Sequence, residues 1–241
     1  VTNALRVPQV RDVTVTIRGL SPLFDGYRLL QLSDLHITRL FSAGWAARVV
    51  ARANAANADL IVVTGDFIDG SVEMRRADIA PLVGLHAPDG VLAAPGNHEY
   101  FFDYAAWIRH LSALGFDVLE NQHRIITRDT AHLVIAGVTD RSARGHGQVG
   151  PDLDAALAGC PAHAPVVLLD HQPGDARAAA ARGVALQLSG HTHGGMIRGL
   201  DRLVARGNNG FASGRYQVGG MMLYVSNGTG LWPGFALRLG V

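Results

Sequence analysis

The chain has 241 residues, 48% of them hydrophobic, enough for a sizeable core and read as one domain over 1–241. Its 21 basic and 20 acidic residues nearly cancel, which argues against a nucleic-acid partner and against a strongly charged membrane binder. Every basic residue is Arg, so a Schiff-base lysine and a P-loop lysine are excluded, and the single Cys160 excludes an intramolecular disulfide or a thiolate zinc cluster. No run of about 18 apolar residues occurs, and a start at Val1 rather than Met reads as a processed or trimmed chain.

In chain order, residues 13–17 alternate as a strand, and a turn at Asp25 and Gly26 leads to a second strand over 27–32 that runs into Ser33, Asp34 and His36. A helix is expected over 45–57, then an apolar run over 60–63 ending at Gly65 and Asp66. The pattern repeats with a helix over 72–85, a strand over 91–94 ending at Gly96, Asn97 and His98, and a helix over 104–114. Strands at 117–119, 124–127 and 132–136 follow, then a polar stretch over 140–150 and a short helix near 153–158. The strand at 166–169 ends at Asp170 and His171; a helix over 175–182 precedes the strand at 185–188, which delivers Ser189, Gly190, His191 and His193. The remainder reads as β-structure, clearest at 222–225.

Repeatedly, then, an apolar strand ends in a short loop carrying Asp, Asn or His. In α/β proteins such loops converge at the C-terminal ends of the strands, where ligand groups gather. The expected fold is α/β, a four-layer α-β-β-α sandwich of two mixed sheets flanked by helices, with the site at the strand C-terminal ends.

Those loop residues are the types that phosphate-ester chemistry requires. The ester's anionic oxygens repel a nucleophile, and two divalent ions about 3.5–4 Å apart neutralise that charge and lower the pKa of a water between them. Holding such ions needs a shared carboxylate together with nitrogen and oxygen donors. The chain offers DxH at Asp34 and His36, GDxxD at Asp66 and Asp69, GNHE at Asn97 to Glu99, a lone His171, and GHxH at His191 and His193. Taken singly, Asp34 and Asp66 also suit turns or helix caps, and His171 also suits a core position.

The ordered blocks, spread from residue 34 to residue 193, resemble the calcineurin-like metallophosphoesterase superfamily. The resemblance implies that Asp34, His36 and His193 hold one metal, that Asn97, His171 and His191 hold another, and that Asp66 bridges them. It implies that His98 is catalytic without being a ligand, stabilising the transition state or protonating the departing oxygen, while Asp69 and Glu99 orient ligand groups. The activity implied is hydrolysis of a phosphate monoester, diester or pyrophosphate by a hydroxide that bridges the ions. Mn is the expected metal, and the thiolate-free donor set also admits Fe, Zn, Co or Mg. The competing reading is a cell-envelope metal-binding protein without physiological turnover. His86, His110, His123, His132, His146 and His163 fit no block and read as ordinary surface or partly buried residues, with His146 in a Gly-rich loop that could border the site.

Within the superfamily, Gly70 and Ser71 after Asp69, and Pro95 before Gly96, depart from the GDxxDRG and Arg-GNHE pattern of protein serine/threonine phosphatases. Asp69 replaces the Tyr of purple acid phosphatases. GHTHGG at 190–195, YVSNGTG at 224–230 and the ending LRLGV resemble bacterial metallophosphoesterases with an N-terminal anchor or export signal, some of which cleave UDP-2,3-diacylglucosamine. Met196 departs from the Gln usual there, and no PPEI-like tail follows. That branch implies a membrane-associated or exported bacterial protein, attached through a segment upstream of Val1, acting on a lipid-linked or nucleotide-linked small molecule. Leu40, Phe41, Trp45, Phe101 and Phe102 are candidates for a hydrophobic lip, the alternative being that they pack loop–helix junctions.

Overall fold

The computed structural model describes residues 6–195 and 201–232, so Val1, Met196 and the closing LRLGV lie outside the described residues. Four strands, β1 (Leu29–Leu32), β2 (Leu60–Thr64), β3 (Val91–Ala94) and β4 (Asp117–Val118), pair in that order and entirely in parallel. Parallel neighbours need crossovers rather than tight turns, and the connections carry α1 (Ala43–Asn54), α2 (Val72–Ile79), and the pair α3 (Asn97–Phe101) and α4 (Tyr104–Ala113). This first sheet is therefore wholly parallel where a mixed one was expected.

The second sheet is mixed. It contains β5 (Gln122–Arg128), β6 (Ala131–Gly137), β7 (Val166–Leu169), β8 (Leu186–Ser189), β9 (Gly214–Val218) and β10 (Met221–Val225) in the order β5-β6-β7-β8-β10-β9. Hairpins β5–β6 and β9–β10 supply its antiparallel edges, and β6, β7, β8 and β10 run parallel. Two short helices, α5 (Leu153–Leu157) and α6 (Ala176–Ala181), precede β7 and β8.

Alternation along the strands builds three cores and hence four layers. Leu60, Val62, Leu92 and Ala94 meet Leu133, Ile135, Val167, Leu169 and Leu188 between the sheets. Ile61, Val63 and Ala93 point the other way onto Trp45, Val49, Trp107 and Leu111 of the helices. On the far side, Val134, Ala136, Leu168 and Leu223 pack against Ala156, Ala176 and Ala179. Burial on both faces explains why β2, β3 and β7 read as unbroken apolar runs.

Residues 13–17 form no strand: Val15 and Ile17 pack against the inter-sheet core as an extended strap without a ladder. The helix expected over 72–85 splits at Pro81, whose missing N–H and ring end the α-helix, and Ala80–Gly84 continues as a 3-10 turn. Helix α7 (Asp201–Gly207) lies where β-structure was expected. No helix among the described residues is long and apolar enough to cross a membrane.

Candidate metal centre

The chemistry-bearing residues leave the C-terminal ends of β1, β2, β3, β7 and β8. Past β1 and β2 the backbones stay laced together: Asp34 N–H donates to Gly65 O at 3.0 Å, His36 N–H to Asp66 O at 3.0 Å and Ile37 N–H to Phe67 O at 2.9 Å. Keeping that lacing while aiming side chains at one point requires unusual backbone. Asp34 (φ 51°), His36 (43°), Asp66 (55°), His191 (70°) and His193 (49°) are all left-handed, a conformation that L-residues hold only where surrounding contacts impose it.

Close approach is enforced at glycine. A Cβ on Gly190 would stand 1.9 Å from Ser33 Oγ and 2.2 Å from Asp34 Oδ2, and one on Gly96 would stand 2.2 Å from Asp66 Oδ1. Glu99, fully buried, ties the loops after β2 and β3 together by accepting from the amides of Gly96 (2.7 Å), Phe67 (2.8 Å) and Asp66 (3.1 Å). Burial, reinforced by the nearby Asp66 charge, pushes its carboxyl up to about 7.

Three groups of side chains bring ligand atoms within 4.8 Å of one another: Asp34, His36 and His193; Asp66, His171 and His191; and His36, Asp66 and His98. Asp66 Oδ2 lies 3.2 Å from His171 Nε2, 3.7 Å from His36 Nε2 and 3.9 Å from His98 Nε2, so one carboxylate serves both halves. Asn97 Oδ1 is 3.0 Å from His171 Nε2 and 2.9 Å from His191 Nδ1.

Hydrogen bonding to the far ring nitrogens makes this donor set fit cations. His171 Nδ1 donates to the Thr64 carbonyl at 2.8 Å, which in a neutral ring turns the Nε2 lone pair toward two oxygens, those of Asp66 and Asn97. His36 Nδ1 donates to Asp69 at 3.1 Å, leaving its Nε2 lone pair 3.0 Å from His193 Nε2. Lone pairs meeting lone pairs need either a proton or a cation between them, and carboxyl, amide and imidazole donors suit a divalent ion. Without an ion, burial alone would lower the pKa of His171, but the Asp66 charge overrides it and raises the imidazole well above its usual range, favouring retention of the proton. His191, buried and facing His171, is pushed down instead.

His98 touches the donor set from one side, sharing a cluster with His36 and Asp66 while the other four histidines converge on Asp34, Asp66 and Asn97. Its Nδ1 donates to Asp69 Oδ1 and its Nε2 faces Asp66. Burial would lower its pKa, yet Asp69 and Asp66 together raise it above the ordinary value.

The structure brings together Asp34, His36, Asp66, Asn97, His98, His171, His191 and His193. The candidates for a hydrophobic lip divide between the two roles. Phe41 and Trp45 are buried in the helix-side core and Phe102 packs partly against it, so these three serve the loop–helix junctions, whereas Leu40 and Phe101 are exposed. Phe101 lies against the His98 ring, and His146 borders Phe101. The loop after β10 escaped attention as a structural part of the site: Thr229 and Gly230 donate amides to the carbonyls of Ser33 (2.7 Å) and Asp34 (2.9 Å). The glycines of YVSNGTG were the available signal, since a Cβ on Gly230 would stand 2.3 Å from Leu35 O.

Against known proteins, the calcineurin-like phosphoesterase family matches residues 27–195. A Danio rerio protein named transmembrane protein with metallophosphoesterase domain is 34% identical over 249 residues, covering 98% of this chain and 56% of its own length. A Bos taurus protein of the same name is 35% identical over 253 residues, covering 99% and 56%. The metallophosphoesterase YkuE of Bacillus subtilis is 32% identical over 216 residues, covering 86% and 73%. The chain thus spans little more than half the length of the two vertebrate relatives. Among solved structures, the calcineurin-like phosphoesterase YfkN of Bacillus subtilis superposes with a TM-score of 0.54 at 16% identity, covering 83% of this chain and 81% of its own. A dimetal phosphatase from Danio rerio gives 0.51 at 14% identity, covering 84% and 88%. These two likenesses concern the fold, and the sequence matches carry the assignment: the chain belongs to the calcineurin-like phosphoesterase family.

Proposed function

We propose that the chain hydrolyses a small-molecule phosphate ester at a pair of divalent ions, with Mn as the resident metal. Asp34, His36 and His193 hold one ion, Asn97, His171 and His191 hold the other, and Asp66 lies between. The observation that supports this most directly is the tautomer lock, in which Thr64 and Asp69 take up the far nitrogens of His171 and His36 and turn their Nε2 lone pairs inward. When bound, the ions neutralise the phosphoryl oxygens and lower the pKa of a water at the site.

His98 acts as the acid. With Nδ1 held by Asp69, the imidazole presents a proton through Nε2 to the ester oxygen that departs; in the metal-free fold Asp69 and Asp66, against the effect of burial, raise its pKa above the ordinary value and so favour the protonated ring. The relatives named transmembrane proteins support a membrane location for the whole protein.

The test compares Mn-loaded protein with Asp66→Asn and His98→Ala, reading metal content and turnover of alkyl and p-nitrophenyl phosphates. Asp66→Asn should lose metal and activity together. His98→Ala should keep its metal and lose about 10²- to 10⁴-fold on the alkyl ester, with a smaller loss on p-nitrophenyl phosphate, whose leaving group needs no proton. Metal-loaded wild type that cleaves no phosphate ester would overturn the assignment, as would a His98→Ala variant at full rate on the alkyl ester.

A further inference from the structure

Two apolar rings lie against the His98 imidazole. The ring centroid of Phe101, at the end of α3, is 5.1 Å from that of His98, and Trp232 sits 6.4 Å away, edge-on at 78°. Both face solvent, Phe101 at 51% exposure and Trp232 at 37%, whereas Trp45 and Trp107 are buried. His146 extends the surface, 5.7 Å from Phe101. Aromatic area left in water beside a polar centre gains free energy when an apolar group covers it.

The orientation of His98 selects which part of a substrate would provide that cover. Its Nδ1 is engaged by Asp69, and its Nε2 points toward Asp66 at 3.9 Å. An ester oxygen positioned to take the Nε2 proton therefore sits beside the imidazole, and the substituent on that oxygen extends toward the rings that border it. We infer that Phe101 and Trp232 form a subsite for an apolar leaving group, an alkyl or aryl residue on the oxygen that His98 protonates. This deepens the assignment of His98 made above and rests on it.

Two measurements test the subsite, one with turnover and one without. Straight-chain alkyl phosphates from butyl to decyl have leaving alcohols of nearly equal acidity, so any rise in kcat/KM with length reports contact rather than chemistry. The Mn-loaded wild type should gain up to about fourfold per buried methylene, the equivalent of the transfer free energy of a CH₂ group. Phe101→Ser and Trp232→Ser should flatten the slope, and Phe101→Leu, which keeps an apolar side chain, should retain most of it. A parallel pair of benzyl and hexyl phosphates separates ring stacking from simple burial.

Binding is read through tryptophan fluorescence in the Zn-loaded protein with ω-bromoalkylphosphonates, whose bromine quenches an indole on contact. Since Trp45 and Trp107 are buried, quenching reports Trp232. It should saturate, exceed that by the matching bromoalkanol, and vanish in Trp232→Phe. A flat slope in a protein that turns over all these esters would overturn the subsite alone, as would quenching no stronger than that by the alkanol. Absence of turnover on every ester would instead strike at the proposed activity, and saturable quenching would still support the subsite.

Discussion

Replacing Asp69 by Asn probes a carboxylate that accepts hydrogen bonds from two imidazoles. Its Oδ2 accepts from His36 Nδ1 at 3.1 Å and its Oδ1 accepts from His98 Nδ1, with the side chain only 14% exposed. Burial would raise its pKa, but the hydrogen bonds from His36 and His98 dominate and bring the carboxyl from 3.8 down to about 2. At about 1.4 kcal/mol per pH unit, that drop makes the ionised form worth about 2 kcal/mol to the metal-free fold. The sign follows from a depressed acid: this stability is complete above the ordinary Asp pKa and is lost as pH falls through about 2.

An Asn amide keeps one acceptor and turns an NH₂ toward the other ring. If that ring is His36, its proton moves to Nε2, the atom facing His193, and an ion loses a donor; such losses of a ligand's orienting partner cost about 10- to 100-fold in metal affinity. If the ring is His98, it loses the carboxylate that sustains its charge. Isothermal titration with Mn and histidine NMR titration of the metal-free protein read the two outcomes. Wild-type His98 should titrate above 6.5 and the variant's lower. In the wild type, that raised imidazole adds stability which is full below the ordinary His pKa and is lost as pH rises through its folded value. Unchanged metal affinity together with an unchanged His98 titration would refute the coupling of both rings through Asp69.

Gly190→Ala would press a methyl into Ser33 and Asp34; we expect a loss of about 1–3 kcal/mol in urea melts and a reduced metal content, and a wild-type melt would contradict this packing. Mn at a hundredfold excess over its Kd should stabilise the fold by about 2.7 kcal/mol, a gain that a chelator removes. Because Asp66, against the effect of burial, raises the His171 pKa well above its usual range in the metal-free fold, Mn binding should also release protons. Calorimetry in buffers of different ionisation enthalpy detects that release, and identical heats in every buffer would rule it out.

Strands β2, β3, β7 and β8 were legible because each is buried on both faces and stops at a Gly, Asp or Asn turn. Asp66, Asn97, His98, His171, His191 and His193 follow such stops, whereas Asp34 and His36 follow the less buried β1; the ordered motifs and the family they resemble marked all eight. Residues 13–17 were not, because period-two alternation marks a half-buried extended chain whether or not a ladder partner exists. Phe41 and Trp45 stayed open between a lip and a packing role for a similar reason: spacing after a motif places a residue near the site without saying which way it faces, and both turn toward the helices. The left-handed backbone at Asp34, His36, Asp66, His191 and His193 falls on types that adopt positive φ more readily than most, but residue type alone does not say which of the chain's Asp and His do so. Nor does the Thr64 carbonyl that fixes His171, a main-chain atom any residue would supply.

The converging groups divide between the layers. Asp34, His36, Asp66, Asn97 and His98 leave the parallel sheet, while His171, His191 and His193 leave the mixed one. Neither sheet carries a whole set of donors, and at this end the two edges are pinned by amide bonds from Thr229 to Ser33 and Gly230 to Asp34 and by hydrogen bonds from His171 Nδ1 to Thr64 O, His191 N–H to Asp34 Oδ1 and Gln31 Nε2 to Ser189 O. A dication seated there would rivet two plates that elsewhere hold together through the apolar core and a handful of polar links such as Arg124 to Asp117 and Arg128 to Asp89, so that sliding between them at this end would be tied to escape of the ion. Hydrogen exchange of the Thr229 and Gly230 amides should then keep pace with metal dissociation.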